Sequence, residues 1–210
     1  MIGDLLFLDD NLCLFCKEEE RKKFFLCENC LSKLDYVDNE FEILNYKARS
    51  LYFYNSFIAH LISDYKFNRN TSLCKVFGQM IYEFLKEKNM DDFDYILTCP
   101  SSNSVLNLRG FDHVKLICDY FIKNTNMTYL KGFKKIKNTK AQHKLSLEDR
   151  AKNLRNSFEF KGDLTGKKVL IFDDIITSSN TIKEIIRTIE KSNPKKIEAI
   201  AIASSHRLKK

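Results

Sequence analysis

Two nearly unbroken apolar runs, "KVLIF" (Lys168–Phe172) and "KIEAIAIAS" (Lys196–Ser204), enclose the helical pattern "TIKEIIRTIEKSN" (Thr181–Asn193), which Pro194 stops. Strands without polar alternation need cover on both faces, and helices between parallel strands supply it. The same alternation continues upstream. "LYFYN" (Leu51–Asn55) reads as a strand and "FIAHLISDYKF" (Phe57–Phe67) as an amphipathic helix. "LCKVFGQMIYEFLKE" (Leu73–Glu87) places apolar residues three and four apart, as a second helix requires. "FDYILTC" (Phe93–Cys99) is a strand ending at Pro100, followed by a helix from about Asp112 to Lys123 and a short strand near "MTYL". "SLEDRAKNL" opens with Ser146 as an N-cap, and "SFEF" is a further strand. The expected fold class is α/β, a parallel sheet flanked by helices. A chain of 210 residues has room for that core and a small appendage.

The appendage is the cysteine-bearing N-terminus. "CLFC" (Cys13, Cys16) and "CENC" (Cys27, Cys30) form a C-x2-C-x10-C-x2-C pattern. Paired knuckles at this spacing supply four thiolates to one tetrahedral zinc ion, and a fully protein-ligated site is structural rather than catalytic. Four scattered buried cysteines would not need this spacing. Cys74, Cys99 and Cys118 stand alone and read as core residues. A zinc-binding module over residues 1–36 and a main domain over 37–210 are therefore expected. No segment approaches the roughly 18 apolar residues of a membrane span. The N-terminus has no basic region before its apolar residues, so a signal peptide is not expected, and cytoplasmic residence with reduced thiols is.

In "VLIFDDIITSSNT" (Val169–Thr181), an apolar strand runs into Asp173 and Asp174 and then a hydroxyl-rich turn before a helix. Ligands of open parallel sheets bind at the carboxyl ends of strands. A helix N-terminus suits phosphate, and Ser178, Ser179 and Thr181 add donors. Carboxylates there would repel phosphate but would accept hydrogen bonds from the diol of the same ligand. A sugar 5-phosphate satisfies both halves. A helix N-cap, or the acidic metal pocket of a receiver domain, shares the local pattern, but receiver domains are usually shorter and lack a four-cysteine knuckle.

The run resembles the phosphoribosyl-pyrophosphate (PRPP) motif of type I phosphoribosyltransferases. The whole chain resembles the ComF family of competence proteins, through the cysteine knuckle, "YKFNRN" (Tyr65–Asn70), "LRGFDH" (Leu108–His113) and "NTKAQHKLSLEDRAKNLRNSFEF" (Asn138–Phe160). The resemblance implies a PRPP-type fold, structural zinc, magnesium accompanying PRPP, and a role in DNA uptake during natural transformation. It assigns Asp173 and Asp174 to the ribose as the catalytic pair, and Thr177, Ser178, Ser179, Asn180 and Thr181 to the 5-phosphate. Ser101 and Ser102 fall in the pyrophosphate-loop region, with Arg109 as a charge partner. Here the family motif usually reads Thr-Thr-Gly-Ala-Thr, so Ser179 occupies the glycine position and Asn180 replaces a small apolar residue.

The net charge of +7 is unevenly distributed: six lysines and no acid lie between Lys131 and Leu147. Such a run is a solvated face, a lid over the sugar-phosphate site, or a track for single-stranded DNA through Lys131, Lys134, Lys135, Lys137 and Lys140, with Phe133 available to stack. His143 has no partner nearby in sequence. Two functions are open. One is a binding module for PRPP and single-stranded DNA that works with the DNA-uptake machinery. The other is an active, Mg-dependent phosphoribosyltransferase of nucleotide or base salvage, whose acceptor is not legible.

Overall fold

The computed structural model describes residues 11–100, 106–107, 109–137 and 154–206. Among these residues the main sheet has six strands: β1 (Tyr36–Ile43), β2 (Tyr46–Phe53), β3 (Tyr95–Thr98), β4 (Thr128–Tyr129), β7 (Lys168–Ile176) and β8 (Lys196–Ser204). Their spatial order is β1-β2-β8-β7-β3-β4, and every pairing is parallel except β1 with β2. A separate antiparallel pair, β5 (Lys134–Lys135) and β6 (Phe158–Glu159), lies outside it. The helices are α1 (Glu28–Leu31), α2 (Ser56–Phe67), α3 (Leu73–Glu87), α4 (His113–Phe121) and α5 (Asn180–Ile189).

The expected two-sided cover is present. Along β7, Leu170 and Phe172 enter the core shared with α2, α3 and α4, while Val169 and Ile171 enter the one under α5. On β8, Ile200 and Ile202 divide in the same way from Ile197 and Ala199. Successive strand side chains point to opposite faces, so a continuous apolar run serves both cores at once. Asn55 caps α2 by accepting from the Ile58 N–H at 2.9 Å, and Asp112 caps α4 by accepting from Lys115 N–H at 3.1 Å.

Two elements differ from expectation. Of the expected strand Leu51–Asn55, only Leu51–Phe53 belong to β2, which begins at Tyr46 and is joined to β1 by a turn at Leu44 and Asn45, both at positive φ. A two-residue hairpin turn demands that conformation. The helix after the aspartates starts at Asn180, stops at Ile189 and gives way to a 3-10 turn over Glu190–Ser192. "SLEDRAKNL" lies almost entirely outside the described residues. Among the described residues, no helix is long and apolar enough to cross a membrane.

Candidate functional site

β7 leads through α5 to β8 on one side, whereas β3 leads through α4 to β4 on the other. Connections therefore diverge between β7 and β3, and the crevice at their carboxyl ends is where such sheets bind ligands. Asp173 and Asp174 stand at that end of β7, still within the strand. Strand alternation sends them to opposite faces, and their environments differ accordingly. Asp174 is only 5% exposed. It is ion-paired with Lys66 from the last turn of α2, and His113 Nε2 lies 3.4 Å from its Oδ2. Arg109 Nη1 donates to His113 Nδ1 at 3.0 Å. The same Nη1 lies 3.4 Å from His113 Nε2, and since arginine can only donate, the shorter contact to Nδ1 favours the tautomer that turns Nε2–H toward Asp174. Tyr65 ties α2 to this cluster by donating to the His113 carbonyl at 2.7 Å. Burial alone would raise the Asp174 pKa, but Lys66 and His113 outweigh it and hold the carboxylate well below its usual range.

Asp173 is half-buried and meets the thiol of Cys99 on the β3 side. Its Oδ1 accepts from the Asp174 N–H at 2.9 Å. Burial, reinforced by the charge on Asp174, pushes Asp173 up to about 7. One carboxylate is thus locked in a cationic pocket, and the other is partly exposed and shifted toward neutrality by burial and its charged neighbour.

Beyond the strand, Thr177 is exposed, Ser178, Asn180 and Thr181 are half-buried, and Ser179 is buried. Ser179 takes the left-handed conformation, φ 57° and ψ 5°, immediately before α5. The glycine-like backbone expected at this position is therefore kept with a serine in it. A non-glycine residue there carries a steric cost of about 1–2 kcal/mol. The first turn of α5 directs N–H groups toward this bend, as helix starts do.

At the other end of the chain, the Sγ atoms of Cys13, Cys16, Cys27 and Cys30 lie within 4.8 Å of one another. Cys16 Sγ and Cys27 Sγ are 3.7 Å apart, close to the ~3.8 Å edge of a tetrahedron with 2.3 Å zinc–sulfur bonds. None of the four is in a disulfide. The donor set and its spacing fit zinc. Cys13, Leu26, Cys27 and Cys30 belong to the same core as α2 and α3, with Phe15 edge-on to Phe57 at 5.4 Å and Asn70 Nδ2 donating to Leu14 O at 3.2 Å.

The phosphoribosyl transferase domain family matches residues 81–210. The chain belongs to that family. Its relatives include Competence protein F of Haemophilus influenzae, 23% identical over 215 residues that cover 96% of this chain and 93% of that protein. DNA utilization protein YhgH of Escherichia coli (strain K12) is 23% identical, covering 86% of this chain and 78% of the relative. Competence protein ComFC of Streptococcus pneumoniae is 25% identical, covering 73% and 66%. The resemblance to competence proteins read from the sequence is borne out.

Within this phosphoribosyl transferase domain, the structure brings Asp173, Asp174, Arg109 and the Thr177–Thr181 turn to one end of the sheet. Ser101, Ser102 and Lys140 lie outside the described residues. The remaining lysines are not equivalent. Lys131 and Lys134 are exposed; Lys135 is half-buried, and burial lowers its pKa. Lys137 donates to the Arg155 carbonyl at 2.9 Å. Phe133 stacks on Phe158 at 5.3 Å between centroids, so it already has an aromatic partner. Sequence reasoning assigned no role to Lys66, His113 or His206. The first two sit inside "YKFNRN" and "LRGFDH", stretches noted only for their resemblance.

Proposed function

We propose that the crevice between β7 and β3 binds PRPP or a closely related 5-phosphorylated ribose, and that the chain serves DNA uptake during natural transformation. The observation that carries the ligand assignment is the pairing, on one strand end, of an open carboxylate with a hydroxyl-rich turn at a helix start. Asp173, once ionised, accepts from the ribose hydroxyls. The Thr177–Thr181 turn and the first N–H groups of α5 receive the 5-phosphate. Arg109, beside the Lys66–Asp174–His113 cluster, supplies positive charge toward the pyrophosphate side. Magnesium fits as an ion carried by the pyrophosphate, since among the described residues at this end of β7 Asp173 is the partly exposed carboxylate and Mg²⁺ is commonly held through substrate phosphates and water. It would neutralise charge on the leaving group. A structural zinc on Cys13, Cys16, Cys27 and Cys30 completes residues 1–36, leaving 37–210 as the ligand-binding unit.

The cellular role rests on the relatives named competence and DNA utilization proteins. Single-stranded DNA contact, in the cytoplasm, is assigned to the lysine run of Lys131, Lys134, Lys135, Lys137 and Lys140, of which Lys131 and Lys134 are exposed. An NMR titration with ribose 5-phosphate tests the ligand reading. Backbone amides of residues 177–181 should shift, and free ribose at equal concentration should leave them still. Shifts confined to other surfaces would contradict it.

A further inference from the structure

Ser179 is held by an element outside its own loop. Its Oγ lies 3.2 Å from Nε2 of His206, just beyond β8. That imidazole is itself fixed. It stacks on Phe41 of β1 at 4.4 Å between centroids and 14° between planes. The carbonyl of His206 accepts from Asn39 Nδ2 at 2.8 Å, and Asn39 is only 1% exposed. A backbone twist disfavoured for serine therefore meets a side-chain hydrogen bond to a clamped ring. Held from two directions, a sparsely populated φ/ψ region can persist.

We infer that His206 is a positioning residue for the turn that receives phosphate, holding Ser179 by its hydroxyl so that a serine can occupy a left-handed position suited to glycine. The inference rests on the proposed phosphate role of that turn. Glycine adopts the conformation unaided, so the demand for His206 should vanish when Ser179 is replaced by glycine. Two substitutions separate the contributions of the ring. His206→Phe keeps an aromatic on Phe41 but removes the nitrogen. His206→Gln loses the stack but places an amide near the Nε2 position.

The test is calorimetric titration of ribose 5-phosphate into the full chain and its variants, with thermal unfolding of each. H206F should weaken binding about fivefold, as removal of roughly one hydrogen bond would. H206Q should recover most of that loss. In the S179G background, H206F should cause no further loss. An equal loss in both backgrounds, or no loss in either, overturns the inference, because the histidine would then act on the ligand directly or not at all. Wild-type protein that fails to bind ribose 5-phosphate would refute the phosphate reading. Unfolding then decides on His206 alone: H206F should lower Tm by about 2–4 °C, and in the S179G background it should not. Equal lowering in both backgrounds would again overturn the coupling.

Discussion

Asp173 and Asp174 are adjacent in sequence yet opposite in role, because one strand step turns the second into a cationic pocket. Lys66, whose side chain is 14% exposed, has Asp174 as its ion-pair partner. Asp174→Ala should therefore cost about 3–5 kcal/mol, the usual consequence of leaving a buried charge without its partner. Replacing Lys66 by Met in the same chain should return most of it. Urea unfolding of the single and double variants measures this, and simple additivity would count against a buried pair. The two carboxyls also predict opposite pH effects. Asp173 keeps its proton to about pH 7 when folded but ionises near pH 4 when unfolded, so it lowers stability progressively as pH rises from about 4 to 7. Asp174 is shifted the other way; its contribution is present above about pH 4 and is lost on acidification below that. Asp173→Asn should thus flatten the decline in the urea midpoint between pH 5 and 7.

At the scale of elements, α2 connects the cysteine segment to the crevice between β7 and β3. Its first turns receive Phe15 of that segment, and its last turn carries Lys66 to Asp174. Purified protein should contain about one zinc per chain. Cys27→Ser should lose that zinc and speed proteolysis within residues 11–35. Unchanged metal content in the variant would contradict the assignment. The β5–β6 pair bears the nucleic-acid question. Changing Lys131 and Lys134 together to Gln should reduce the slope of log K against log salt for single-stranded DNA by about 1.4, or 0.7 for each phosphate no longer neutralised. An unchanged slope would remove these lysines from the interface. The apolar pattern identified α3 and β8 to the residue, since α3 buries one helical face and β8 is buried along nearly its whole length. It missed β1 because Leu44-Asn45 lacks the Asn-Gly signal of a tight hairpin. It missed Lys66 and His113 as site residues because only the folded sheet brings α2 and α4 to the end of β7.

For the whole molecule, the proposed function follows from where the connections diverge. The divergence between β7 and β3 makes the crevice, alternation along β7 leaves Asp173 open within it, and α5 starts beside it. The composition of "VLIFDDIITSSNT" disclosed that two carboxylates and a hydroxyl-rich turn meet at this end of the sheet. It did not disclose that one aspartate is sequestered, since that depends on residues contributed by two distant helices. The most direct test of the central claim is calorimetric titration of PRPP with magnesium into wild-type and Asp173→Ala protein at pH 8, where Asp173 is ionised. Wild type should bind at one site per chain. The variant, with its Lys66–Asp174 pair intact, should remain folded and bind at least about tenfold more weakly, the worth of roughly 1.4 kcal/mol. Equal affinity in the two proteins would contradict the assignment of this crevice to the ribose.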